Sequence, residues 1–377
     1  MKRAVAVVTG TRAEFGLLAP VMRAIRDHPK LSLEVLAAGM HFVGNRGNTW
    51  REIGKAGFRI RARVKAPEPS KSPAWMGEAL GEMTKGFSRA LSKLRPDWLL
   101  VLGDRAEPLA AALAATQLGG IAIAHLHGGE VTGHRLDDQG RRLLSALAHL
   151  HLPANPKSAA RLRGMGEASW RVQVVGAPGL DAILSARLPS RDGLLGRYRL
   201  KQPYLLLVQH AVPHQASEAA RQIRETLRAL QRIGLPVLAS MPNTDAGGEA
   251  ALAALRSARG VRVFPNLPHA DYLGLLRGAA ALVGNSSSGL IEAPAFRTPA
   301  VNLGIRQAGR ERAANVIDAP HDARAIERAI RRAISPTFRR RLARIRSPYG
   351  DGRTAPRVAR LLATVPIDDR LLEKTGG

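Results

Sequence analysis

Six short apolar runs in this chain end on a small, polar, chemically active tip: TGTRAE, GDRAE, HLHGGE, QHAVPH, PNTDAG and GNSSSG. An apolar run of this length is a buried strand, and a Gly-polar tip directly after it is a tight turn into the next element. One such tip is ordinary loop chemistry. Repetition along the chain is the mark of parallel sheets, which build their ligand sites at strand carboxyl ends.

Between the runs lie stretches with apolar residues at helical spacing. In the first half, strands are expected over 4–10, 31–39, 97–104, 121–127 and 172–176, with helices over 14–28, 76–94, 107–118 and 137–150. The second half restarts the pattern, with strands expected over 204–210, 236–243, 261–266, 280–285 and 299–304. The fold class is therefore α/β: two Rossmann-like doubly wound domains facing a cleft, over 1–178 and 179–353. The segment near 182–202, polar, basic and broken by Pro and Gly, is expected to be the inter-domain linker region.

At 377 residues, 45% hydrophobic and 4% aromatic, the chain can bury two real cores. It has no cysteine, which excludes disulfides and Cys-ligated metal centres. The opening MKRAVAVVTG resembles a signal peptide, but its apolar run is too short and leads into a Gly turn, so a first strand is expected. No run approaches the roughly 20 apolar residues of a membrane span, and a soluble, cytoplasmic protein is expected. The formal net charge is +27, and residues 324–346 hold nine arginines against one glutamate. Such a surface attracts phosphates, nucleic acid and anionic membranes, or is simply a set of solvated helix faces.

The densest ionisable stretch is AHLHGGEVTGHRLDDQGRR, 124–142. His125 and His127 alternate along an expected strand, so both can face one zinc ion with Glu130 or Asp137 as a third ligand; both can equally bond backbone or ligand. A single-stranded nucleic-acid site would want aromatic stacking platforms, which this stretch lacks. Asp104, Glu130, Asp137 and Asp138 on neighbouring tips suit proton transfer, because crowded carboxylates split into an acid and a base. Arg105, Arg135 and Arg141 temper that effect and can bind phosphate. Asp137 or Asp138 is also expected to cap the following helix.

GNSSSGL, 284–290, is expected to end a strand and open a helix, where small residues and the helix N-terminus suit a pyrophosphate. An ordinary serine N-cap reads the same way. It is no Walker A loop, since no Lys follows the last Gly. Glu292 beside it suits a ribose diol, and Arg12 and Arg306 suit phosphates.

Taken in order from residue 8 to about 356, the motifs TGTRAEFGLLAP, LGDRAE, AHLHGGEVTG with LDD and Arg141, VVGAPGLD, QH, PNTDAG, GNSSSGLIE, NLGIRQAGRE and YGDG closely resemble the UDP-N-acetylglucosamine 2-epimerase family. The HGGEVTG and NLGIRQ forms look like its hydrolysing, sialic-acid-pathway branch. A sister group acts on a UDP-linked 2,4-diacetamido-trideoxy sugar for legionaminic acid. The resemblance implies a glycosyltransferase-B-type fold whose last segment, 354–377, begins with a helix returning to the first domain. It implies elimination of UDP with loss of the sugar C2 proton, then hydration of the glycal to a C2-inverted free sugar.

By motif, Asp104, Glu130 and Asp137 become candidate acid/base residues, with His127 where some relatives place glutamate and His210 on the departing phosphate. Arg12, Arg105, Asn243, Ser286, Ser287, Glu292 and Arg306 become the substrate-binding set. The resemblance implies a UDP-sugar substrate, no metal or other cofactor, and a homo-oligomer (dimer or tetramer). Two departures stand out. Ala106 replaces a usual aromatic, and Arg141-Arg142 replaces an Arg-His pair, so an altered sugar substrate is one expectation. A non-hydrolysing epimerase, a glycosyltransferase of the same fold, and a basic nucleic-acid or membrane-surface binder on this scaffold are the competing readings.

Overall fold

The computed structural model describes residues 2–42, 48–67, 74–132, 135–185, 188–242, 247–264 and 267–374. The chain divides into two compact units, one made of Met1–Leu184 with Tyr349–Gly377, the other of Ser185–Pro348.

The first unit holds β1 (Arg3–Thr9), β2 (Leu31–Ala38), β3 (Ile60–Val64), β4 (Trp98–Leu102), β5 (Ala122–Leu126) and β6 (Leu150–Leu152). They form one sheet in the order β3-β2-β1-β4-β5-β6, and every pairing is parallel. Strands β4 and β5 are buried at every position because helices cover both faces, hence their unbroken apolar runs. Alternation sorts β1: Val5 and Val7 pack with Leu18, Met22 and Ile25 on one face, while Ala6 and Val8 pack with Phe87 and Leu91 on the other.

The helix Arg12–Asp27 begins at Thr11, whose side chain accepts the Glu14 amide. Against it packs the C-terminal helix Thr354–Thr364 through Val358 and Leu362. That helix is pinned by long-range bonds: Asp181 accepts the Thr354 and Ala355 amides at 2.9 and 2.8 Å, and Trp98 Nε1 donates to the Leu362 carbonyl at 3.0 Å.

The second unit holds β7 (Leu205–Val208), β8 (Val237–Ser240), β9 (Val261–Phe264), β10 (Ala281–Gly284), β11 (Ala300–Leu303) and β12 (Val316–Ala319). Its order is β12-β11-β10-β7-β8-β9, again all parallel. In each sheet the order in which strands are added reverses between β1 and β4 or between β7 and β10, and the crevice outside the strand ends at such a switch point is where these folds bind ligands.

Two expectations are corrected. VQVVG forms no strand, only a single bridge from Val172 to His151. Strands β3, β6 and β12, unforeseen, form the outer edges with β9. The boundary between the two units, Leu184 to Ser185, falls in the polar segment near 182–202, which carries the end of one helix, Pro178–Ser185, and the whole of another, Arg191–Arg197. GNSSSGL opens no α-helix; Ser287–Gly289 and Ala293–Phe296 are 3-10 turns. Pro294 lacks the N–H that an α-helix would need there. Among the described residues no helix is long and apolar enough to cross a membrane.

Candidate active site

In the first unit the tips of β1, β4 and β5 gather most of the predicted acid/base residues. The turn after β4 exposes Asp104, whose carboxylate is ion-paired with Arg141 of the helix Arg135–Leu147. Arg141 is buried and also donates to the His127 carbonyl at 3.1 Å. Close approach of that helix requires Gly140, where a β-carbon would lie 2.6 Å from the Asp104 carbonyl oxygen.

His127 does not continue β5. The strand stops at Leu126, and His127 has φ +62°, in the left-handed region. Its Nδ1 meets Glu130 Oε1 at 2.5 Å, both side chains being nearly buried. His125 stays on the strand and bonds elsewhere, Nε2 to the Gly103 carbonyl at 2.8 Å and Nδ1 to Ser145 Oγ at 3.2 Å. Burial pulls its pKa down to about 3, the Gly103 bond opposing. The two histidines therefore do not share a face as strand alternation suggested. Among the described residues no group of three or more His, Asp or Glu side chains is placed to hold a metal ion.

Asp138 lies in the first turn of the helix Arg135–Leu147. Its Oδ1 accepts both the amide and the hydroxyl of Thr132, at 2.8 and 2.9 Å, which ties down the loop that follows Glu130. Asp137 lies half-buried in the first turn of the same helix. Arg142, by contrast, is exposed, so only the first member of the arginine pair touches Asp104. Ala106 starts the helix Ala106–Leu118 with Arg105 at its N-cap.

Sequence reasoning missed a second cluster beside these tips. Glu107 is 3% exposed and Glu14 6% exposed. Arg105 forks onto Glu107 through Nε and Nη2, at 3.2 and 3.3 Å. Glu14 accepts the Gly10 amide at 2.7 Å. Buried His41 bridges Thr9 and Thr49, at 3.0 and 2.9 Å. Both glutamates stood in the quoted motifs, but each reads as an ordinary acid in a helix's first turn. Arg12 sits at the start of its helix and pairs with Glu52 at 2.9 Å.

In the second unit the tips of β7, β10 and β11 bring together His210, Ser286, Ser287, Glu292 and Arg306. Asn285 links His210 to Arg306, a role the sequence did not reveal. It exchanges two bonds with the His210 backbone, accepting at 2.8 Å and donating at 2.9 Å. Its own carbonyl accepts from Arg306 Nη1 at 3.2 Å and from Gln307 Nε2 at 3.0 Å. Burial, then Arg306, holds the His210 imidazole down to about 3. Ser286 Oγ accepts the Ser288 amide at 3.3 Å, closing the 3-10 turn. Burial and the neighbouring Glu292 push the Tyr272 hydroxyl up, with Ser288 and Ser286 opposing. Asn243 lies outside the described residues.

The model of the UDP-N-acetylglucosamine 2-epimerase family matches residues 23–363. The chain belongs to this family. Among its relatives, a Legionella pneumophila protein named UDP-N,N'-diacetylbacillosamine 2-epimerase (hydrolyzing) is 34% identical, over 99% of each chain. A Neisseria meningitidis UDP-N-acetylglucosamine 2-epimerase is 33% identical over 89% of this chain and 88% of its own. The solved structure of the enzyme from Neisseria meningitidis bound to UDP-GlcNAc covers 95% of this chain and 99% of its own, with a TM-score of 0.84 at 20% identity. Acinetobacter baumannii MurG shares the glycosyltransferase-B-like fold at a TM-score of 0.57. The epimerase-family chain described here thus carries two Rossmann-like units of that fold.

Proposed function

We propose that this member of the epimerase family is a hydrolysing 2-epimerase that converts UDP-GlcNAc to UDP and free N-acetylmannosamine. The observation that carries the reading is the Asp104–Arg141–His127–Glu130 network on the β4 and β5 tips. Removing a proton from carbon needs a base fixed in place, and a departing diphosphate needs cations or N–H donors. The first unit carries carboxylates on its own strand tips, and the second carries hydrogen-bond donors on its own.

In the proposed reaction a carboxylate among Asp104, Glu130 and Asp137 takes the C2 proton. The C1–O bond breaks and its electron pair leaves with UDP, giving a C1–C2 double bond. Water then adds: its hydroxyl joins C1, and a proton reaches C2 from the opposite face. The hydrogen-bonded His127–Glu130 pair is suited to hold or pass that proton. His210, neutral in the free protein, would bind the leaving phosphate as a hydrogen-bond donor beside cationic Arg306. Ser286, Ser287, Glu292, Arg12, Arg105 and Asn243 complete the proposed UDP set, with Glu292 on the ribose diol. The Arg12–Glu52 pair would have to open for Arg12 to reach a phosphate.

A second reading, a UDP-linked 2,4-diacetamido-2,4,6-trideoxy sugar as substrate, is favoured by the full-length match to the Legionella protein and by the small Ala106. An NMR time course in deuterated buffer, run with each UDP-sugar, tests both. Free C2-inverted sugar carrying deuterium at C2, plus UDP, supports the proposal. UDP-ManNAc without free sugar would move the enzyme to the non-hydrolysing branch, and no turnover of either sugar would sink the reading.

A further inference from the structure

Glu107 occupies a seat made for it. A β-carbon on Gly10 would lie 2.6 Å from its Cδ and Cγ, and one on Gly39 2.6 Å from its Oε1, so both turns are shaped around this side chain. Glu107 is 3% exposed, yet its partner Arg105 is not enclosed: the arginine side chain is 45% exposed. The fork uses Nε and Nη2, along one edge of the guanidinium. By covalent geometry Nη1 then faces away from Glu107. A planar cation gripped by one edge is oriented at its other edge, and such pre-organisation lowers the entropy lost on binding an anion.

We propose that Glu107 is a positioning residue: it holds Arg105 by one edge so that Nη1 is presented to an anionic group of the substrate. This rests on the UDP-sugar reading above for the identity of the anion. Asp104 immediately precedes Arg105, so the same grip also limits the freedom of the turn that carries the candidate base.

Charge balance in the cluster supports the proposal. Two buried carboxyls, Glu14 and Glu107, face one guanidinium, with Asp104 nearby and His41 beside Glu107. Burial, reinforced by Glu107 and opposed by Arg105, pushes Glu14 up to about 8, so it holds its proton at neutral pH. Burial holds His41 down to about 4 against the pull of Glu107, so His41 is neutral there. With Glu14 protonated, Glu107 is the carboxyl that grips Arg105 directly, and Asp104 acts on it from nearby. Ionisation of Glu14 above pH 8 would add a second negative charge and weaken anion binding.

The test has two arms. In calorimetric titrations of the full chain with UDP, Glu107→Gln and Arg105→Ala should each weaken binding about tenfold, and the double variant should be no weaker than either single one. Additive losses, or unchanged UDP affinity in a folded Glu107→Gln protein, would overturn the proposal. Circular dichroism melts identify variants that merely unfold. In the second arm, carbon-13 NMR of labelled glutamate side chains follows the Glu14 carboxyl, assigned by its loss in Glu14→Gln. It should titrate near pH 8 in the parent. It should move down in Glu107→Gln, where repulsion is lost and Arg105 is released toward Glu14. An unmoved titration overturns the shared cluster whatever the substrate. If the parent binds no UDP, the functional reading fails by itself and the carboxyl titration still decides whether Glu107 governs Arg105.

Discussion

Gly10 tolerates no side chain, because Glu107 fills the space a β-carbon would need. Gly10→Ala must shift a buried carboxylate or the β1 turn, and overpacking of this kind costs about 1–3 kcal/mol. Denaturant midpoints should show that loss; a midpoint equal to the parent's would mean the turn relaxes freely. At Asp104 the expected change is chemical. Asp104→Asn keeps the shape of the carboxylate but removes a base, so kcat should fall about 10²–10⁴-fold, with UDP affinity by calorimetry largely kept. Near-normal turnover would remove Asp104 from the proton transfer. These residues differ in how far the sequence disclosed them. Asp104 and Glu130 stand out because polar groups after apolar runs are visible in one dimension. Glu107 and Asn285 do not, since an acid in a helix's first turn and an Asn before serines have common structural explanations. Only burial and partners separate them from those.

At the scale of elements, the C-terminal helix Thr354–Thr364 depends on a residue far away in the chain. Asp181 accepts its first two amides and is buried. Asp181→Ala leaves those donors unmatched and should cost about 0.5–2 kcal/mol, as other helix caps do. Hydrogen exchange should quicken first in 354–364; uniform protection across that helix would refute the local role. The central strands were legible because both faces are covered and their sequences are uniformly apolar. The edge strands were not. IRARV in β3 alternates half-buried with exposed residues, LHL in β6 is three residues long, and VIDA in β12 carries an exposed aspartate. VQVVG looked a better strand than any of these, yet the sheet already ended at β6 and left it one bridge.

For the whole molecule, pH acts through groups that folding buries. His41 and His149 are held down to about 4, His125 and His210 to about 3, in each case first by burial. Their folded values lie below the unfolded value of about 6.5. Their contribution to stability is therefore full above that value and is lost as pH falls toward 4 and below. Glu14 works in the opposite sense. Its folded value of about 8 lies above its ordinary value of 4.5, so its contribution is full below 4.5 and is lost as pH rises to about 8. Thermal melts should peak near pH 6.5, and Glu14→Gln should flatten the decline from 6.5 to 8. A parent melting temperature that climbs through that interval would contradict the assignment. The net charge of +27 acts on a longer range. Any binding to nucleic acid that rests on this charge should weaken steeply with salt.

The sequence alone determined the α/β class, the paired repetition of strands and the carboxylate-rich tips, because buried strands must be apolar and turns must be small and polar. It also determined the family, whose motifs run nearly the length of the chain. Tertiary structure decided which tip residues meet. It put His127 in a left-handed turn against Glu130, set Arg141 on Asp104 while leaving Arg142 in solvent, and buried Glu107 between two glycines. Those outcomes depend on how strands order themselves in a sheet and how closely helices approach it. Contacts between residues distant in sequence fix both, and the local pattern does not encode them.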